Sequence, residues 1–154
     1  MYWGSQNGTN GLRVSQWTDT GSSVSHWDVP VTPWANGPYS SEGPGGLEWL
    51  SRADDRITGA WLAKGRLGFM WTSSKQIDRP NPYIRVARID EATKTLIDEP
   101  DLWSAKSAWA YPAAAPNSKG QIGFTAFFGG GDRHPSHVVG VRDDAAGAWQ
   151  TQIA

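Results

Sequence analysis

The pentad Gly-x-(Leu/Ile)-Gly-Phe occurs twice, as Gly65-Arg66-Leu67-Gly68-Phe69 and as Gly120-Gln121-Ile122-Gly123-Phe124. The similarity continues downstream. PYIRVARID at 82–90 answers PSHVVGVRD at 135–143, and each run leads into a turn, Glu91-Ala92-Thr93-Lys94 or Asp144-Ala145-Ala146-Gly147. A partial third copy lies near the start. Leu12, Arg13 and Val14 match Ile84, Arg85 and Val86, and Tyr2-Trp3-Gly4-Ser5 resembles Met70-Trp71-Thr72-Ser73. A spacing of about 55 residues between copies confines the chain to folds that repeat one supersecondary unit.

Within each unit, short apolar segments alternate with Gly, Pro, Asn, Asp and Ser clusters, the pattern of short strands. Strands are expected at 57–63, 66–73, 83–90 and 94–98, and again at 111–116, 121–128, 136–142 and 148–153. Gly68-Phe69-Met70-Trp71 and Ile122–Phe128 are apolar on both parities, which requires sheets covered on both faces. Leu47, Leu50 and Ala53 have helical spacing, but Gly46 and Gly59 bracket them, so one helical turn is expected at most. The fold class is therefore all-β. Four short antiparallel strands per repeat is the signature of a β-propeller blade. The units divide as 1–27, a partial blade; 28–56, an insertion; 57–103, a blade; and 104–154, a blade truncated at its end. Three blades fall short of a closed ring, so the expectation is an incomplete ring whose remaining blades belong to a longer parent propeller.

The run Ala110-Tyr111-Pro112-Ala113-Ala114-Ala115-Pro116-Asn117-Ser118-Lys119-Gly120-Gln121-Ile122-Gly123-Phe124, then Pro135-Ser136 and a strand ending at Arg142, resembles a segment of bacterial secreted β-propeller proteins of unassigned function. Arg88-Ile89-Asp90-x-Ala92-Thr93-x-Thr95-Leu96 fits the same context, and the similarity spans about residues 83–149. The chain departs from that pattern at Pro116, where Val is usual, and at Gln121, where Asp is usual. The resemblance implies the fold and an extracellular or cell-surface location in a bacterium. It implies no catalytic residues. The architecture is distantly sialidase-like, but the Asp-box pattern Ser-x-Asp-x-Gly-x-Thr-Trp is absent.

Composition narrows the function. The 154 residues carry a net charge of −1, so no electrostatic footprint for nucleic acid exists. No apolar run approaches the length of a membrane span. The absence of Cys removes disulfides and thiolate chemistry. No residue set calls for a cofactor.

Ten Trp are present. Trp3, Trp61, Trp71 and Trp149 fall in expected strands, where they would fill space between blades. The insertion carries Trp34, Tyr39 and Trp49 with Glu42, Glu48 and Asp55. Aromatic faces beside carboxylates suit a sugar, and long loops are often functional. The competing reading is a proline-stiffened connection whose aromatics cover a blade edge.

Arg88 and Arg142, with Arg85 and Arg13, occupy related strand positions and could hold a carboxylate bidentately. Alternatively, they pack their stems on aromatics. Asp132, His134 and His137 read either as a metal-binding loop or as a polar blade tip, and the tip is preferred; no metal site is assigned. Two functions remain: a non-catalytic binding or scaffold module for a glycan or protein ligand, and a sialidase-like glycoside hydrolase.

Overall fold

The computed structural model describes residues 1–153; Ala154, the end of the third unit, lies outside the described residues. Strands β1 (Tyr2–Gln6), β2 (Gly11–Trp17) and β3 (Val24–Pro30) form a three-stranded sheet. A short hairpin follows, β4 (Glu42–Gly43) with β5 (Leu47–Glu48). The second sheet has four strands, β6 (Ile57–Ala63), β7 (Arg66–Ser73), β8 (Tyr83–Asp90) and β9 (Leu96–Asp98). The third also has four, β10 (Ala108–Pro116), β11 (Ile122–Gly130), β12 (Arg133–Asp143) and β13 (Ala148–Ile153). Every sheet is antiparallel and runs in chain order, and the sheets do not close into a ring.

The central unit matches the expected strands closely, except that β9 begins at Leu96 rather than 94. Asp90 accepts the N–H groups of Ala92 and Thr93, and Lys94 adopts φ +61, so a capped turn uses those residues. β10 begins three residues earlier than expected and absorbs a bulge at Tyr111-Pro112. β12 extends through His134 and Pro135 by a register shift opposite Phe128 and Gly130. The helical spacing at 47–56 produces no α-helix. Gly45 and Gly46 take φ +73 and +74, which turns Leu47-Glu48 back to pair with Glu42-Gly43.

The sheets stack face to face. Leu67, Phe69, Trp71, Ala87 and Ile89 of the second sheet pack on Leu12, Val14 and Val29 of the first. The opposite face, with Met70, Ile84 and Val86, packs on Ile122, Phe124, Ala126 and Val138 of the third. Each large side chain so buried stabilises the stack by about 1.5–3 kcal/mol. β7 and β8 of the middle sheet are therefore dry on both sides, which is why these two strands do not alternate. Two glycines make room for aromatic rings, Gly68 for one on its paired strand β6 and Gly4 for one on the neighbouring sheet. A Cβ on Gly68 would lie 2.0 Å from the Trp61 ring, and one on Gly4 would lie 2.8 Å from Phe69.

Candidate functional site

Residues 31–56 form a strap across one end of all three sheets. Val31 N–H donates to Asn10 O at 3.0 Å and Trp34 N–H to Thr9 O at 2.9 Å, fixing the strap to the β1–β2 turn. Ser74 N–H donates to Ala35 O at 2.8 Å, and Ser74 Oγ to Pro38 O at 2.6 Å, fixing it to the β7–β8 loop. Gly131 N–H donates to Glu42 O at 2.8 Å, reaching the β11–β12 turn. The strap then returns, and Gln6 Nε2 donates to Asp55 O on the first sheet.

The strap turns its largest aromatic inward. Trp34 is 3% exposed and meets Trp71 edge-on, ring centroids 5.1 Å apart. Trp49 is half-buried with Tyr39 and Ala53 against Leu50, Ala108 and Ala110. Glu48 is occupied by the chain itself: its carboxylate accepts Ser40 Oγ at 2.6 Å, Ser41 N at 3.0 Å and Leu50 N at 2.7 Å. Burial opposes its ionisation, but these donors prevail and hold it below the ordinary Glu range. Glu42 is exposed, and its contribution to the strap is its carbonyl.

Asp55 has a different setting. Burial, with Asp55 and Asp54 nearby, raises the Tyr39 hydroxyl above the ordinary Tyr range. Burial and Asp54 do the same to Tyr111. Tyr39 Oη donates to Thr72 O at 3.4 Å and the Tyr111 N–H donates to Thr72 Oγ1 at 3.1 Å, so the two tyrosines share a neighbour near the end of β7. Tyr39 Oη donates at 3.2 Å to Asn36 Oδ1. Asp54 pairs with Arg56, whose Nε lies at 2.8 Å.

Tyr111 was not among the residues expected at the site. Its backbone is left-handed, φ +54, at the β10 bulge, its ring is 40% exposed, and it meets Phe127 edge-on at 6.3 Å. The available signal was a Tyr-Pro pair inside a strand, since Pro in a ladder marks a bulge.

Comparison with protein-family models, curated proteins and solved structures finds no match to this chain.

The arginines lie elsewhere, in the stack. Arg88 is buried between the second and third sheets; it holds Asp98 through Nε at 2.6 Å and Nη2 at 2.5 Å, and Asp144 through Nη1 at 2.6 Å. Arg142, also buried, faces the same Asp144 at 3.4 Å and lies over the Trp149 ring. Arg85 is paired with Glu99 and, at 2.7 Å, with Asp101, and its guanidinium donates to Thr32 O of the strap at 2.9 Å. Arg13 pairs with Asp28 at 2.8 Å on the solvent face of the first sheet.

His134 and His137 are exposed, and His137 is hydrogen-bonded to Thr125. Among the described residues no group of three His, Asp or Glu is placed to hold a metal ion. No described helix is long and apolar enough to cross a membrane.

Proposed function

We propose that the chain is a non-catalytic binding and scaffold module built of successive β-propeller blades, within a secreted or cell-surface protein, with a glycan as its ligand. The observation that carries this reading is the strap. It ties the turns of three stacked sheets into one continuous surface that carries Tyr39 and Asp55, and Tyr111 of β10 is joined to Tyr39 through Thr72.

The stacking supports the blade assignment. Thr125 pairs with Val139 as Met70 pairs with Val86. The latter pair is buried under the third sheet, while Val139 is exposed on a face where further blades of the parent protein would stack. The arginines support the non-catalytic reading: Arg88 and Arg142 are turned to Asp98 and Asp144 rather than left free for a substrate carboxylate.

The test is a glycan array probed with the protein and with Tyr111→Ala and Asp55→Asn. Tyr111 is exposed and Asp55 lies at the surface of the strap, so both variants are expected to fold, which circular dichroism checks. Binding by the parent protein and its loss in both variants is expected. A blank array, or binding that survives both substitutions, removes the glycan assignment.

A further inference from the structure

Asn is followed by Gly at three places, Asn7-Gly8, Asn10-Gly11 and Asn36-Gly37. In such a pair the glycine amide nitrogen is the nucleophile nearest the Asn side-chain carbonyl, and no glycine side chain shields it. Ring closure between the two needs the joining peptide to rotate. A pair that is buried or hydrogen-bonded must first open, and the structure separates the three pairs on that criterion.

Asn10-Gly11 is held by the first sheet. Gly11 is buried and opens β2 opposite Pro30, and Asn10 O accepts Val31 N–H at 3.0 Å. Asn36-Gly37 is held by Tyr39, whose hydroxyl donates to Asn36 Oδ1 at 3.2 Å and accepts the Gly37 N–H. Asn7-Gly8 is the free pair. Asn7, Gly8 and Thr9 are exposed in the β1–β2 turn, and among the described residues the Gly8 N–H has no acceptor. Asn7 N–H donates to Gly11 O at 2.9 Å, but that bond precedes the Asn7 Cα and leaves the 7–8 peptide unpinned. The Asn7 side-chain amide donates to Asp28, which is 47% exposed and already paired with Arg13 at 2.8 and 2.9 Å. A solvent-facing hydrogen bond of this kind is a modest restraint.

We propose that Asn7 is a spontaneous modification site: it deamidates through a cyclic imide with Gly8, and the product loosens the strap where it joins the β1–β2 turn. Gly8 N gives its proton to solvent and bonds to Asn7 Cγ; the Cγ–Nδ2 bond breaks and Nδ2 leaves as ammonia. Water then opens the imide. Attack at Cγ yields aspartate, and attack at the backbone carbonyl carbon yields isoaspartate, in which the main chain runs through the former side chain. The net change is a water gained and an ammonia lost, with no electron transfer and no partner.

Either product sets a carboxylate beside Asp28 where an amide donor stood. The isoaspartate also lengthens the turn by a methylene. That insertion falls between the Asn7 N–H bonded to Gly11 O and the carbonyls of Thr9 and Asn10, which accept Trp34 and Val31 N–H at 2.9 and 3.0 Å. Both strap bonds then lose their alignment. The inference stands whatever the strap binds.

The test is mass spectrometry of the whole folded chain aged in mildly alkaline buffer, with peptide fragmentation that resolves Asn7 from Asn10. Conversion at Asn7 is expected to outpace that at Asn10 and Asn36 by at least about tenfold, since those pairs must open first. Asn7→Gln, whose longer side chain cyclises poorly, is expected to remove the fast conversion, and Tyr39→Phe to speed conversion at Asn36. In the isoaspartate form, separated by ion exchange, amide hydrogen exchange at Val31 and Trp34 is expected to quicken by at least about tenfold, while Val86, held by Asp101, is unchanged. An Asn7 that stays unconverted in the folded chain overturns the proposal, as do equal rates at the three pairs. Unchanged exchange at Val31 and Trp34 in the isoaspartate form overturns the effect on the strap.

Discussion

Arg88 of β8 and Asp144 of the β12–β13 turn lie 2.6 Å apart and join the second sheet to the third. Asp144 also receives Arg66 at 3.2 Å and Arg142 at 3.4 Å, so one carboxylate serves three guanidinium groups. Burial opposes its ionisation, yet Arg88, Arg142 and Arg66 together hold it below the ordinary Asp range. Asp144→Ala leaves Arg142 without its acid and Arg88 with Asp98 alone. Because Asp144 is half-exposed, the expected loss is about 1–2 kcal/mol rather than that of a fully buried pair. Asp144→Asn, which keeps an acceptor oxygen, loses less. Urea denaturation midpoints of the two variants check the order.

Trp34 belongs to the core of the stack, so its removal is a stability experiment. Trp34→Ala is expected to cost about 3–5 kcal/mol. It should also release the strap locally, exposing the Ser74 amide that donates to Ala35 O. Thermal unfolding together with exchange at Ser74 reads both effects. A variant of unchanged stability would mean that Trp34 is not packed against Trp71.

Asp101 gives the fold a pH dependence of distinctive sign. Its Oδ2 lies 2.7 Å from Arg85 and its Oδ1 accepts Val86 N–H at 3.0 Å. Burial nevertheless pushes this carboxyl up to about 6; Glu99 adds to the rise, while Arg85 and Val86 oppose it. A folded-state value above the unfolded one means that the folded protein takes up the proton first. Stability therefore increases as pH falls from about 7 to about 5, by on the order of 1 kcal/mol. The carboxylates held low, Asp28, Glu48, Asp54, Asp90 and Asp144, contribute stability above the ordinary Asp or Glu value that is lost only below it, outside this window. Asp101→Asn is expected to flatten the curve between about pH 5 and about pH 7, as read from urea midpoints at the two values.

Gly68 is required by a neighbour rather than by its backbone angle. Any Cβ there would overlap the Trp61 ring at 2.0 Å. Gly68→Ala is expected to displace Trp61 from between the second and third sheets and to cost about 1–3 kcal/mol. The shift in Trp61 fluorescence should appear in a Gly68→Ala, Trp-depleted background and vanish in Trp61→Phe.

Much of the strand pattern was legible in the repeats. The pentads open β7 and contribute to β11, and Pro82 and Pro135 mark the approach to β8 and the bulge of β12. The roles of individual side chains were not. Arg85 and Arg88 share β8 but stand on opposite faces, so one braces the strap and the other the third sheet. Trp3 lies on the same side of the repeating unit as Trp71. Yet Trp71 is fully buried while Trp3 is 40% exposed, because the first sheet covers one and no described sheet covers the other. Tyr39 and Asp55 were legible as candidates through their place on the insertion. Tyr111, 56 residues beyond Asp55, was not, since its left-handed backbone and exposed ring follow from the bulge in β10.

Local chemistry in the sequence determined the all-β class, the strand length and the turns, because alternation along a strand, glycine at left-handed positions and Asx-type caps are set within a few residues. Only the tertiary structure decided which faces are dry, which charges are paired and where the insertion runs. Those outcomes depend on contacts between residues far apart in the chain. Identical strand patterns are buried or exposed according to whether another sheet lies against them.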